Sequence, residues 1–163
     1  MPVFRRHGIE RIISGGQSGV DRAALDAALE SGTPCGGWCP RNRRAEDGTI
    51  DPRYPLIETE GSGYAERTAR NVESADGTLI LTRGELTGGT ALAHRLAREL
   101  GKPCLVVDLS ERPDPETARA WIARHHIRSV NVAGPRESQQ AGIYSDARQF
   151  LIGLMTREDL PPP

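Results

Sequence analysis

Lysine is almost absent from this chain. Lys102 is the only one, and arginine supplies the rest of the positive charge. Schiff-base or pyridoxal phosphate chemistry would have to use Lys102, which stands beside Pro103 between a helical stretch and an apolar run, and is set aside. Cysteine is scarce as well. Cys35, Cys39 and Cys104 are an odd number, which argues against a disulfide framework. Cys35 and Cys39 form a C-x3-C pair with no second pair and no nearby histidine, so they read as ordinary buried thiols, with a metal ligand as the alternative; no metal is expected. No apolar run approaches the roughly 18–20 residues of a membrane span. Met1 to His7 has no apolar segment behind its arginines, so no signal peptide is expected and the protein is expected to be cytoplasmic. Charge of one sign is also missing. With 21 basic and 22 acidic residues the net charge is −1, which argues against nucleic acid or an anionic membrane as a partner.

What is present is an alternation of short apolar runs with amphipathic stretches, the pattern of a parallel α/β sheet. The 163 residues suffice for one domain, 1–163, expected as a single Rossmann-like doubly wound parallel sheet in three α/β/α layers. Strands are expected at Ile9–Ile13, Cys35–Trp38, Leu56–Thr59, Gly77–Thr82, Cys104–Leu109 and Arg128–Val132. The fifth of these is continuous and apolar and reads as buried. Helices are expected at Val20–Ser31 (ended by Gly32), Tyr64–Ser74, Thr90–Leu100 (ended by Gly101), Pro115–His125 and Ile143–Met155. The third carries Leu92, Leu96 and Leu100 on one stripe, and Pro161–Pro163 reads as a frayed tail. The irregular stretch Pro40–Pro55 is longer than most loops inside compact domains and reads as functional.

Two glycine loops carry the chemistry. Ser14-Gly15-Gly16-Gln17-Ser18-Gly19 follows the first strand and opens the first helix, where glycines admit a close phosphate and free N–H groups point at it. Ser18 and Asp21 form an S-x-x-D capping box. The loop is neither G-x-G-x-x-G nor G-x-x-x-x-G-K-[ST], and a tight turn without ligand is its alternative reading. The second loop, Thr87-Gly88-Gly89-Thr90, follows the fourth strand. In the usual strand order 3-2-1-4-5-6 the first and fourth strands are neighbours, so both loops are expected to face one crevice.

Helix termini alone are too weak to hold a ligand. Each contributes roughly 0.3–1 kcal/mol to an anion, up to about 2 when partly buried, whereas micromolar binding needs about 8. Arginine forks and a stacked ring must supply the rest. Candidate donors are Arg22, Arg41, Arg43, Arg44, Arg67 and Arg83, each also readable as a solvated surface residue; candidate stacking partners are Trp38, Tyr54 and Tyr64. Asp21, Glu46, Asp47 and Glu85 are candidate contacts to a sugar or ring edge, Asp21 being equally explained as a cap. His125 and His126 read as structural at a helix end, and His94 stays open between an exposed helix position and a site-edge one.

In order along the chain stand Ile13-Ser14-Gly15-Gly16-Gln17-Ser18-Gly19-Val20-Asp21-Arg22, Gly36-Gly37-Trp38-Cys39-Pro40, Arg43-Arg44-Ala45-Glu46-Asp47-Gly48, Tyr64-Ala65-Glu66-Arg67-Thr68, Leu81 to Thr90, and Asn131 to Ser138. In these blocks the chain resembles the molybdenum cofactor carrier family, a branch of the Rossmann-like superfamily that includes the lonely-guy, lysine-decarboxylase-like phosphoribohydrolases. The resemblance implies a protein that holds molybdenum cofactor (molybdopterin), a phosphate-bearing pterin with a dithiolene-bound metal, and passes it on; it also implies a homodimer or homotetramer. The phosphoribohydrolases carry P-G-G-x-G-T-x-x-E with a catalytic glutamate. Here Thr87 replaces the proline, and either Ala93 or Arg95 falls at the glutamate position, depending on alignment. Glycosidic proton transfer needs a carboxylate, which would then have to be Asp21, Glu46, Asp47 or Glu85. The expected function is therefore binding or carriage of a phosphate-bearing small molecule, with a nucleoside-monophosphate N-ribosyl hydrolase and a nucleotide sensor as alternatives.

Overall fold

A computed structural model describes residues 8–156. The expectations of no signal peptide at Met1–His7 and of a frayed tail at Pro161–Pro163 fall outside the described residues. The elements in chain order are β1 (Arg11–Ile13), α1 (Val20–Ser31), β2 (Cys35–Gly36), β3 (Trp38–Cys39), β4 (Arg44–Ala45), β5 (Gly48–Thr49), β6 (Ile57–Glu58), α2 (Tyr64–Ser74), β7 (Gly77–Thr82), α3 (Gly88–Glu99), β8 (Cys104–Asp108), α4 (Pro115–Arg124), β9 (Ser129–Ala133) and α5 (Ile143–Met155). The five-stranded sheet is parallel throughout in the order β2-β1-β9-β7-β8. One core joins α1, α4 and α5 to the sheet through Ala24, Ala28, Trp121, Phe150 and Leu151, while Val72, Ala93 and Ala97 join α2 and α3 to the other face. This is the α/β Rossmann-like fold in three layers.

Helix α1 forms because alanines recur on one face and Gly32 closes it at φ 70, a left-handed position that spares glycine the Cβ penalty. Strand β7 is buried at every residue because it is covered on both faces.

Four features depart from expectation. β9 lies between β1 and β7, so the first and fourth expected strands are not neighbours: β1 pairs Ile12 with Val130, and β7 pairs Leu79 with Val132. The stretch Cys35–Trp38 is not one strand. Gly37 bends it at φ 135, sending β2 to β1 and β3 to a separate pairing with β6. β8 is an edge strand with Val106 40% exposed, so its apolar run does not mark full burial. On α3 the buried residues are Thr90, Ala93 and Ala97; of the expected stripe Leu92 and Leu96 are only half-buried, Leu96 packing beside the alanines, and Leu100 is 47% exposed.

The long stretch after β3 has its own small core, with Ala45, Ile50 and Tyr54 packed on Leu25 of α1. Arg43 ties it together by donating to the carbonyls of Ile50 (3.0 Å), Leu56 (3.3 Å), Asp51 (2.8 Å) and Tyr54 (2.8 Å). Among the described residues no helix is long and apolar enough to cross a membrane.

Candidate functional site

At the carboxyl ends of β9 and β7 a cavity of about 160 Å³ opens between α2 and α3. The first glycine loop supplies Gly15 and Gln17, α2 supplies Tyr64, Arg67 and Asn71, α3 supplies Gly88, Gly89 and Thr90, and the end of β9 supplies Asn131 and Gly134. The two glycine loops therefore meet at one cavity, across β9.

The start of α3 is bare. Thr87 caps it with no side-chain hydrogen bond, and the first turn holds no acidic residue. The N–H groups of Gly88, Gly89 and Thr90 precede the first return bond, from Ala91 N–H to the Thr87 carbonyl (3.2 Å), so the helix offers them no internal partner. A Cβ added at Gly88 or Gly89 would meet nothing within 4 Å. Gly88 has φ 52, which explains its glycine by backbone conformation; Gly89 lies outside the left-handed region and has no such explanation.

The first loop is built differently, for several of its N–H groups are engaged within the chain. Gly16 donates to Ser14 Oγ (3.3 Å), Gln17 to Asp21 Oδ2 (3.4 Å), Ser18 to Gln17 Oε1 (3.0 Å) and Val20 to the Pro135 carbonyl (3.2 Å). The expected capping box does not form. Gly19 is the N-cap of α1 with no side-chain bond, because Ser18 Oγ donates to Glu46 from the long loop instead.

Asp21 and Arg67 form the electrostatic centre of the cavity. Asp21 is 4% exposed and its Oδ2 stands 2.9 Å from Arg67 Nη1. Burial pushes the Asp21 carboxyl above the usual carboxylate range, against the opposing pull of Arg67. Arg67 Nε is buried without a hydrogen-bond partner. The guanidinium carbons of Arg67 and Arg44 lie 5.7 and 5.4 Å from the Tyr64 ring centre, and Arg70 lies 4.8 Å from the Trp38 ring. Tyr64 and Arg67 of the lining are thus joined by a cation–π contact with Arg44 against the same ring, while Arg44, Arg70 and Trp38 do not themselves line the cavity.

Other expected site residues lie elsewhere. Ser18, Gly19, Arg22, Glu46 and Asp47 line a second, more open groove of about 770 Å³ together with Tyr54 and Tyr144. Arg22 is held there by Asp47 (2.9 and 3.1 Å) and by the Gly16 carbonyl. Burial disfavours the charged form of Glu46, yet hydrogen bonds from Ser138 and Ser18 hold its carboxyl below the usual range. Arg83 pairs with Asp146 and donates to the Ala141 carbonyl (3.0 Å), Arg43 is taken up by the four carbonyls above, and Glu85 is exposed outside both cavities. Tyr54 is buried, its hydroxyl donating to Asp26 (2.6 Å). Arg41 and Thr87 are exposed and line neither cavity.

His94 is half-buried on α3 outside the cavity lining, and His125 closes α4 with its ring 6.1 Å from that of Trp121. Lys102 Nζ donates to the Ala75 carbonyl (2.8 Å), away from the site. All three thiols are free, Cys39 buried and Cys35 and Cys104 half-buried; burial raises each, Cys104 to about 11. Among the described residues no group of three or more His, Cys, Asp or Glu is placed to hold a metal ion.

Residue-by-residue reading missed Asn71, Asn131, Gly134, Arg136 and Gln139, all of which line the cavity. Their signal was the Gly134-Pro135 turn directly after the last strand, a third loop at the same sheet edge.

A parallel three-layer sheet with a polar cavity at its carboxyl edge defines a Rossmann-like α/β protein. More narrowly, the chain belongs to the Circularly permutated YpsA SLOG family, whose model matches residues 12–155. It is also similar to a solved structure, "Putative molybdenum carrier protein" from Syntrophus aciditrophicus SB, with 43% identity, a TM-score of 0.87, and coverage of 91% of this chain and 96% of that one. A comparison with curated proteins gave no match. The permuted order accounts for β9: moved to the front of the chain, it would make the sheet β2-β1-β9-β7-β8 read 3-2-1-4-5, the start of the doubly wound order. The switch point then lies between β9 and β7, where the cavity is.

Proposed function

We propose that this chain is a binding protein for a phosphate-bearing small molecule, and that its cargo is molybdenum cofactor. The observation that carries the reading is Gly89, whose missing side chain is required by nothing in the protein and faces the cavity beside bare helix N–H groups. At about 160 Å³ the cavity is smaller than the roughly 300–1,000 Å³ usual for whole ligands, so it takes the phosphate end. The ring system lies across the Tyr64, Arg44 and Arg67 rim. The similarity to a structure named as a molybdenum carrier supports the choice of cargo.

Mass spectrometry of what is released from the natively purified chain tests this. A phosphorylated pterin with matching molybdenum by elemental analysis is the expected result. Release of nothing phosphorylated would overturn it.

The second reading, an N-ribosyl hydrolase, is favoured by one observation: of the four candidate carboxylates only Asp21 lines the cavity. Asp21 is already held by Arg67 and Gln17, and Ala93 provides no carboxylate. Purine nucleoside monophosphates should therefore release free base at a negligible rate by chromatography. Fast release that disappears in Asp21→Asn would make the chain an enzyme.

The carrier is further proposed to be cytoplasmic and a homodimer or homotetramer, with the exposed β8 edge around Val106 and the neighbouring Leu100 as an apolar surface to cover. Light scattering at tens of micromolar is expected to give at least twice the 17.7 kDa chain mass. A monomer mass would end this part of the reading.

A further inference from the structure

The Asp21–Arg67 pair is an odd thing to find in a cavity for anions. A carboxylate 4% exposed shares about 160 Å³ with the bare N-terminus of α3, so an anion seated there cannot stand a screening length away from it. Two like charges that close, out of water, do not both stay ionised. Arg67 meanwhile uses Nη1 on Asp21 and leaves Nε buried and unpartnered. Its fork is half committed.

We propose that the cavity takes its anion together with a proton, that Asp21 carries the proton, and that Arg67 couples the two by turning from Asp21 to the anion. This rests on the reading that an anion occupies the cavity. In the free chain Arg67 neutralises Asp21. When the anion arrives, the guanidinium engages it, and the Asp21 carboxylate takes a proton from solvent to become a neutral carboxyl. No other bond is made or broken. The carboxyl now donates a hydrogen bond where it formerly repelled. Burial already raises the Asp21 carboxyl above the usual range in the free chain, which favours the neutral form.

The charged and titratable groups facing Asp21 are few. Arg22 comes from its own helix, Arg67 and Tyr64 from α2, and Arg136 from the segment after β9; α3 and β9 bring only uncharged Thr90, Ala93 and Asn131 to the cavity. Glu46 belongs to the other groove, and its lowered carboxyl stays ionised throughout the range of interest. His94 stands one turn along α3 from Thr90, outside the cavity lining, and a variant there serves as the control.

Sulfate is the probe, because it has the shape of phosphate and no titration of its own near neutrality. Calorimetric titration of the full chain is expected to show affinity falling as the pH is raised, by up to about tenfold per pH unit. At one pH, the apparent heat should change with the buffer's ionisation enthalpy, reporting uptake of up to one proton. Asp21→Asn should bind sulfate more tightly at the upper end, with neither pH slope nor buffer effect, and His94→Gln should keep both. Wild-type binding with no proton uptake overturns the proposal, as does a slope that survives Asp21→Asn or is lost in His94→Gln. If Asp21→Asn does not fold, the wild-type buffer comparison with the His94→Gln control decides. Sulfate that fails to bind at any pH, or binds equally to Gly89→Val, overturns the anion site itself and this coupling with it; binding without a proton overturns the coupling alone.

Discussion

Gly89→Val is expected to lower affinity for a purine nucleoside monophosphate by about 100-fold or more, while leaving the melting temperature unchanged or slightly raised. The first half follows from geometry. The valine branches would fill open space beside the N–H groups of Gly88, Gly89 and Thr90. Hydrogen bonds to a charged partner are worth about 1.5–3 kcal/mol each, so losing two costs about 3–6 kcal/mol, and each 1.4 kcal/mol is a factor of ten in affinity. The second half follows from the backbone. Gly89 sits in a helical turn outside the left-handed region, where glycine is the poorest residue but proline. Gly88 would be the worse choice: at φ 52 its replacement strains the chain as well as filling the cavity, and the two effects cannot be separated. Titration calorimetry and a thermal melt on the same sample check both halves. Undiminished affinity would make this loop an ordinary turn and remove the physical basis of the carrier reading.

Gly19→Ala should do the reverse and damage the fold. Gly19 has φ 76, and a Cβ there would overlap the Pro135 carbonyl oxygen and stand 2.8 Å from both Arg136 C and Glu137 N. Those neighbours are backbone and cannot swing aside. Backbone strain of about 1–3 kcal/mol, for a residue at φ 76 and ψ −130 outside the αL well, plus the overlap gives about 3–4 kcal/mol, at the severe end for a single substitution. For a chain of this size that lowers the melting temperature by roughly 10 °C. Gly32→Ala is the control, since Gly32 has φ 70 but open space around the missing Cβ. With ψ 20 it lies in the αL well, so it should show only that milder strain and no collision, and a scan by circular dichroism should place it well above Gly19→Ala. Equal losses in the two would mean that the Pro135 segment yields easily and that the junction is soft.

Much of the fold is legible from local pattern. The bounds of α1, α2, β7 and α5 coincide with the expected ones, because each has a clear apolar rhythm and most end at a glycine or a polar turn. What local pattern does not carry is the partner. Nothing in Arg128 to Val132 says that its strand sits centrally, since pairing is decided by β1 and β7, far away in the sequence. The same holds at the site. Gly88 and Gly89 announce themselves because a helix start needs no remote residue to leave its N–H groups bare. Gly15 to Gly19 look equivalent in one dimension, yet the N–H groups of Gly16, Gln17 and Ser18 are taken up by Ser14, Asp21 and Gln17, and the space beside Gly15 and Gly16 is filled by Arg67 and Leu56. Arginines mislead for a similar reason: Arg22, Arg43 and Arg83 have the chemistry of anion donors, but Asp47, four carbonyls and Asp146 had already claimed them.

The central place of β9 also sets the order in which the molecule can assemble. As the chain leaves the ribosome, the strands of the five-stranded sheet that precede Arg128 can form only two separate parallel pairs, β1 with β2 and β7 with β8. Two-stranded pieces of that size are not stable in water. Until Ser129–Ala133 emerges, β7, buried at every residue in the finished fold, presents an unpaired apolar edge, and so does β1. Insertion of one short late strand then joins both halves at once, across the long sequence separation between Ile12 and Val130. Such non-local closure is slow and favours cooperative folding of the whole chain after synthesis over stepwise growth from the amino end. A permuted strand order that leaves the finished sheet unchanged therefore alters the protein's life before folding, lengthening the time in which its most deeply buried strand is open to the wrong neighbour.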